Sequence, residues 1–161
     1  MQEKRNCYLQ DAMHKASHKV IELAKENDCR TIVIGDLKGI KQENRLKNFV
    51  QIPLQTLVEQ IKYKGQLAGI QVCLEEESYT SGVSAYDQEP VTRKYYDKSR
   101  RIKRGLFETT EGRLVNSDTN GSLNIMRKYV VKQELRNVVP ILVKQWRDNG
   151  YMDCPVRLAV I

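Results

Sequence analysis

The run Thr31-Ile32-Val33-Ile34 is short, rich in β-branched residues and bounded by polar ones, which is typical of a buried β-strand. Ile70-Gln71-Val72-Cys73-Leu74 is a second run of this kind. Patterns with helical periodicity come before each of them, over residues 3–27 and 53–67. Helix, strand, helix, strand with short connections predicts right-handed crossovers and a parallel pair of strands. The expected fold class is therefore α/β.

The two helical patterns have clear ends. In the first, the polar pair Asn27-Asp28 follows the last apolar position. In the second, Pro53 suits the first turn, and Gly65 and Gly69 are expected to stop the helix. The apolar positions of the first helix recur at helical spacing, as one buried face requires: Leu9, Ala12, Met13, Ala16, Val20, Leu23 and Ala24.

The second half of the chain has a different character. Residues 78–115 are rich in Ser, Thr, Tyr, Lys and Arg, with a hairpin-like pattern between Gly105 and Val115. A third helix is predicted over 117–132, with Ser117 as its N-cap and a small face expected to lie against a sheet: Asp118, Gly121, Ser122 and Ile125. Residues 133–161 predict a short helix and a terminal strand.

Positive charge is concentrated in one segment. The chain has a formal net charge of +7, and residues 93–104 carry seven bases against one acid, Asp97. Local positive charge favours a polyanion, because phosphate contacts release counterions. Tyr95, Tyr96 and Phe107 lie in or near this segment, where aromatic rings can stack on nucleobases. A nucleic-acid-binding surface is therefore predicted rather than a merely solvated loop, with these residues: Arg93, Lys94, Tyr95, Arg100, Arg101, Lys103 and Arg104.

The composition restricts the class of protein to which the chain can belong. No apolar run approaches the ~20 residues that cross a bilayer, and the first residues lack the apolar core of a signal peptide, so a cytoplasmic protein without a membrane partner is expected. The cysteines form no C-x-x-C pair, which argues against zinc or disulfides. They are expected to be reduced and mostly buried: Cys7, Cys29, Cys73 and Cys154.

Several segments, in order, resemble the C-terminal half of TnpB (OrfB) proteins of insertion sequences, which are relatives of Fanzor and of type V CRISPR nucleases. Their order and spacing carry the resemblance, which runs from about residue 7 to residue 132. The segments are His14-Lys15-Ala16-Ser17, Thr31-Ile32-Val33-Ile34-Gly35-Asp36, Glu76-Glu77-Ser78-Tyr79-Thr80-Ser81, Arg101-Ile102-Lys103-Arg104-Gly105-Leu106-Phe107 and Asn116-Ser117-Asp118-Thr119-Asn120-Gly121-Ser122-Leu123-Asn124-Ile125.

The resemblance implies a partial ribonuclease-H-like (RuvC-like) domain. Full-length relatives are RNA-guided DNA endonucleases that use three carboxylates and Mg²⁺, so DNA and guide RNA are the implied partners. Two Mg²⁺ ions about 3.5–4 Å apart hold the attacking and leaving oxygens of a phosphodiester, and clustered carboxylates hold such ions. The carboxylates must converge from strand ends and a helix start.

By this resemblance Asp118 matches the third carboxylate, although an Asp at a helix start also favours the helix dipole without any ligand. Many relatives place the second, a Glu, where this chain has Gly35, and Asp36 would point to the opposite face of the strand. In a rearranged subset the Glu lies at the end of the next strand. That position is Glu77 here, with Glu76 as the alternative, unless the acidic run is only a solvated strand end.

The first carboxylate of the family precedes the first helix and is absent from these 161 residues. The chain is therefore expected to be a truncated C-terminal fragment with an incomplete Mg²⁺ site. The family's zinc ribbon would begin near Gly82-Val83-Ser84-Ala85, where no cysteine is present, so a basic hairpin without zinc is expected in its place. The predicted parts are a RuvC-like part (1–77), the basic insertion (78–115), a closing RuvC-like helix (116–132) and a tail (133–161).

Two functions from different classes follow. The first is a nuclease remnant that binds DNA or RNA but has lost phosphodiester hydrolysis. The alternative is a non-enzymatic basic module that regulates or competes with the full-length transposon protein. A product without any role is the third reading.

Overall fold

The computed structural model describes residues 2–36 and 54–150. Within these residues the helices are α1 (Gln2–Glu26), α2 (Leu54–Leu67), α3 (Ser117–Lys132) and α4 (Val139–Asp148). The strands are β1 (Thr31–Asp36), β2 (Gln71–Glu76), β3 (Leu106–Glu108) and β4 (Leu114–Asn116). Contacts divide the chain after Cys73 into two compact units, called here the first and the second unit.

In the first unit, α1 packs on α2, and β1 and β2 are neighbours in a two-stranded sheet. The buried core consists of Ile21, Ala24, Ile61 and Ile70. Asp28 has φ +51° and Gly69 has φ +71°, and these left-handed residues follow the ends of α1 and α2. The four elements predicted from periodicity are confirmed here to within two residues at each end.

Gly65 has another role than the predicted one. It lies inside α2, so the expectation that it stops the helix is wrong, whereas Gly69 does follow the helix end. A Cβ on Gly65 would lie 2.6 Å from Cγ2 of Val72 and 3.1 Å from the carbonyl oxygen of Ile70. Glycine is therefore needed because the helix backbone and β2 come too close for a side chain.

The second unit is built around a core of six buried residues against which Trp146 packs: Ala85, Phe107, Val115, Leu123, Val139 and Val143. β3 and β4 form an antiparallel hairpin in which Phe107 pairs with Val115. The hairpin, α3 and a short C-terminal helix are thus confirmed. The predicted terminal strand lies outside the described residues.

Two expectations about α3 are wrong. Its N-cap is Asn116, whose side-chain oxygen accepts from the backbone N–H groups of Asp118 and Thr119, and Ser117 is the first helical residue and buried. The small face is not the packed one, since Asp118 and Ser122 are exposed. The side of α3 that is buried is instead largely polar: Ser117, Thr119, Asn120, Leu123, Asn124 and Arg127.

The thiols also differ from the expectation. Cys7 and Cys29 are exposed and Cys73 is half-buried, so "mostly buried" is wrong for the cysteines that the structure describes. Cys154 lies outside the described residues. As for membranes, none of the helices seen in residues 2–36 and 54–150 combines the length and the apolar character that crossing a bilayer requires.

Candidate nucleic-acid interface

Two buried asparagines on α3 hold the chain that follows β2. Asn120 accepts from the backbone N–H of Ala85 and donates to the carbonyl of Val83, both at 2.9 Å. Asn124 donates to the carbonyls of Thr80 at 2.9 Å and Val83 at 2.7 Å. Both asparagines are fully buried. These backbone groups of the irregular segment 80–85 are therefore satisfied by side chains of a helix rather than by a neighbouring strand.

Arg127 extends this row by one more turn of the helix. Its Nη1 donates to Oδ1 of Asn124 at 2.7 Å and its Nη2 to the carbonyl of Glu89 at 2.8 Å. Burial lowers the pKa of Arg127, and the charge of Glu89 opposes that effect. These residues were not predicted, although the sequence shows polar groups at i, i+4 and i+7 flanking the apolar Leu123.

Arg100, predicted to bind nucleic acid, points into the second unit. Its Nη1 donates to both carboxylate oxygens of Glu89, at 3.0 and 2.8 Å, and its Nη2 lies 3.5 Å from Asp87. Its Nε donates to the carbonyl of Glu108, and the guanidinium lies 4.9 Å from the ring centre of Phe107. Only 15% of the Arg100 side chain is exposed. Arg100 therefore connects the basic segment (residues 93–104) to the hairpin of β3 and β4.

The carboxylate of Asp87 gives this network a pH dependence. Burial would raise the pKa of Asp87, but hydrogen bonds from Thr110 and Ser84 and the charge of Arg100 together lower it. A lowered folded-state pKa means that the stability contributed by the carboxylate is fully present above about pH 4 and is lost as the pH falls through the folded-state pKa.

We therefore expect Asp87→Asn to flatten the acid side of the stability curve. The urea midpoint of the wild type should fall more steeply below about pH 4 than that of the variant. Asp148→Asn, a change at an exposed position of α4, is the matched control and should follow the wild type. Parallel curves for wild type and Asp87→Asn would show that this carboxylate does not titrate with unfolding.

The other predicted binding residues are on the surface. Arg93, Lys94 and Tyr95 form one exposed helical turn, and Lys94 lies 5.5 Å from the ring centre of Tyr95. Lys103 and Arg104 are exposed in the turn before β3. Between them, Asp97 caps the turn Lys98–Arg100 by accepting from Ser99. The term basic surface is used here for five of these exposed bases: Arg93, Lys94, Arg101, Lys103 and Arg104.

Phe107, by contrast, is fully buried in the core of the second unit. The expectation that it can stack on a nucleobase is wrong. In β3 the ring points to the opposite face from the half-buried Leu106 and the exposed Glu108, and it packs beneath Arg100.

The predicted metal-binding carboxylates are in the second unit. Glu77 follows the end of β2 and is half-buried, and its carbonyl accepts from the N–H and hydroxyl of Thr80. Asp118 is in the first turn of α3 with its side chain 81% exposed, 3.4 Å from Nη2 of Arg101. An ion pair this exposed contributes at most about 1 kcal/mol, so Arg101 is readily displaced.

The two carboxylates beside Glu77 have partners of their own. Glu76 is exposed, and hydrogen bonds from Ser78 and Lys128 lower its pKa. Glu75 is buried and forms an ion pair with Lys132. The acidic run is therefore not a fully solvated strand end.

These residues fit a divalent metal only in part. Carboxylate oxygens suit Mg²⁺, but no group of three His, Cys, Asp or Glu within residues 2–36 and 54–150 is arranged to hold a metal. A two-metal centre needs more carboxylates than Glu77 and Asp118 supply. No hydrolytic step through a metal is derived from these residues, and the assignment of Glu77 and Asp118 as ligands stays a prediction.

No protein-family profile and no curated protein matches the chain. Solved structures do match in fold. One is a Cas12f1 chain from a cryo-EM structure of a Cas12f1–sgRNA–target DNA complex, with a TM-score of 0.61 and 20% sequence identity over 77% of this chain. The match covers 35% of that chain, so this protein spans about a third of its length. At this identity the similarity concerns the fold, and this chain has a mixed α/β fold like that of part of a Cas12f1 protein.

Proposed function

We propose that the second unit is the nucleic-acid-binding part of a RuvC-like nuclease of the TnpB kind, and that this chain binds DNA or RNA without hydrolysing it. The observation that carries the proposal is the basic surface, whose five bases are all exposed and lie on a segment that Arg100 connects to the fold. The Cas12f1 neighbour was solved with sgRNA and target DNA, which supports nucleic-acid partners for this fold.

The physical basis of binding is electrostatic. Bases held at fixed positions neutralise phosphates and release condensed counterions, so affinity falls steeply with salt. Arg100 and Asp97 hold the backbone of the segment, so the positions from which the surrounding bases extend are set before any ligand binds. Such preorganisation lowers the entropic cost of association.

Binding without cutting follows from the carboxylates. Glu77 and Asp118 are the family-matched acids in the described part of the chain, and two carboxylates hold Mg²⁺ weakly. We propose that hydrolysis requires a further carboxylate from outside the described residues. A regulator or competitor of a full-length nuclease would need only the binding part, so that alternative has the same structural support.

The test is the salt dependence of the affinity for a labelled single strand. Lys103→Gln with Arg104→Gln should weaken binding for all sequences and lower the slope of log affinity against log salt by about 1.4, since each phosphate contact on a single strand contributes about 0.7. Lys4→Gln with Arg5→Gln removes equal charge from an exposed part of α1 and should leave the slope unchanged.

Two results would contradict the proposal. A wild-type affinity that does not respond to salt would remove the basic surface as the binding site. Cleavage of DNA by the purified chain in Mg²⁺, abolished by Asp118→Asn, would show that the carboxylates are sufficient and that the chain is an active nuclease.

A further inference from the structure

Two tyrosines outside the core form a pair on the surface of the second unit. The rings of Tyr79 and Tyr96 have centroids 5.7 Å apart and planes inclined at 68°, an edge-to-face contact. Tyr79 is 40% exposed and Tyr96 is 36% exposed. Both rings therefore keep part of their aromatic surface in water, where a ligand can reach it.

Tyr79 is fixed by its backbone. It has φ +65°, a left-handed conformation that is uncommon for a residue with a side chain. The turn is closed on one side by Thr80, which donates twice to the carbonyl of Glu77, and the carbonyl of Thr80 is in turn held by Asn124. Backbone strain of this kind is kept only where the surroundings impose it, and it is most common at functional sites.

Tyr96 is fixed by a glycine. A Cβ on Gly82 would lie 2.6 and 2.7 Å from two carbons of the Tyr96 ring, so the ring rests directly on the glycine backbone. The carbonyl of Gly82 also accepts from the N–H of Asp97 at 3.0 Å. Any side chain at position 82 would push the ring away, and with it the contact to Tyr79.

One member of the pair, Tyr96, adjoins positive charge along the chain. Tyr96 directly follows the exposed turn of Arg93, Lys94 and Tyr95, in the segment that carries most of the excess charge. Exposed aromatic rings among bases are the arrangement by which proteins hold unpaired bases, with phosphates on the charges and bases on the rings. Bases in a duplex are stacked on each other, which leaves no face free for a ring.

We infer that the Tyr79–Tyr96 pair is a stacking subsite for an unpaired nucleobase. The inference rests on the proposed nucleic-acid binding and deepens it, because it names a single strand as the ligand. Tyr79 is two residues from Glu77, so a base on this pair places its strand beside the predicted carboxylate. Tyr79 and Tyr96 act as positioning residues for that strand.

The experiment compares two strands of equal length, an oligothymidylate and an abasic strand, which share their phosphates and differ in their bases. Fluorescence anisotropy of the full chain should show a preference for oligothymidylate of roughly 5- to 150-fold per stacked base. Tyr79→Leu and Tyr96→Leu should remove most of this preference and leave the abasic affinity and the salt slope unchanged. Oligouridylate should behave as oligothymidylate does, because stacking uses the base and not the sugar.

Matched variants separate stacking from folding. Tyr96→Phe keeps the ring and should keep the preference, whereas Gly82→Ala displaces the ring and should lose it. Tyr63→Leu changes an exposed tyrosine of the first unit and should have no effect. As a second measurement on the unaltered protein, 5-iodouracil in the strand should photocrosslink to Tyr79 or Tyr96.

The outcomes distinguish the inference from the proposed function. Equal, salt-dependent binding of both strands by the wild type, with crosslinks elsewhere, would overturn the stacking subsite and leave the basic surface intact. Absence of binding to either strand would overturn both. If Tyr96→Leu lowered the affinity for the abasic strand and for the thymidylate strand equally, the stacking subsite would also be overturned, because the lost interaction would then not involve the bases.

Discussion

Arg100→Met is expected to destabilise the second unit by about 3 kcal/mol. The substitution leaves the carboxylates of Glu89 and Asp87, whose side chains are 16% and 14% exposed, without their cation. Removing one partner of a largely buried ion pair costs about 3–5 kcal/mol, and the remaining exposure places this case at the lower end. Urea unfolding followed by the fluorescence of Trp146, the single tryptophan and part of the second unit's packing, measures the loss.

Two further variants serve as controls for Arg100→Met. Arg104→Met makes the same chemical change on the surface and should alter stability by no more than about 0.5 kcal/mol while weakening nucleic-acid binding. Arg100→Lys keeps the charge but loses the planar fork, so its stability should lie between those of wild type and Arg100→Met. If Arg100→Met were as stable as wild type and bound nucleic acid poorly, the result would support the sequence-based prediction that Arg100 binds nucleic acid.

Asn124→Ala is expected to have a comparable effect, about 2–4 kcal/mol. The change leaves the buried carbonyl of Thr80 without its donor, removes one of two donors from Val83, and takes the acceptor from Nη1 of Arg127. Each buried polar group left without a partner costs about 1–3 kcal/mol. The same urea titration measures it. Because Tyr79 directly precedes the segment held by Asn124, preference for bases over abasic strands should fall as well.

Ser122→Ala, on the exposed side of the same helix, is the control and should be nearly neutral. Asn124→Asp separates the two functions of the amide, because it retains an acceptor for Arg127 but has no donor for the carbonyls. Wild-type stability for Asn124→Asp would show that the hydrogen bonds to segment 80–83 contribute nothing measurable, and our account of that segment would then be wrong.

The secondary structure was largely predictable from the sequence. Helical and strand periodicity located α1, β1, α2 and β2, and turn residues around Gly105 and Gly112 located the hairpin. These elements are set by interactions within a few residues, which a local pattern records. The misplaced N-cap of α3 shows the limit, since Asn116 and Ser117 are both good capping residues and the backbone conformation decides between them.

The site was predicted less completely. The composition located the basic segment but could not distinguish its seven bases from one another. In the structure, Arg100 is turned inward to Glu89 and Arg101 pairs with Asp118. It also placed Phe107 among stacking residues, although the pleat of β3 buries the ring. Charge and aromaticity can be counted along a chain, but the direction of a side chain depends on which residues face it.

The amino-acid order alone therefore indicated an α/β fold and a basic segment, because these depend on periodicity and charge density along the chain. The folded chain established which polar groups are internal. Asn124 meets Thr80 across forty-four positions and Arg100 meets Glu89 across eleven. Such pairings depend on how a buried helix satisfies the polar backbone of a distant loop, and no local pattern of residues encodes that.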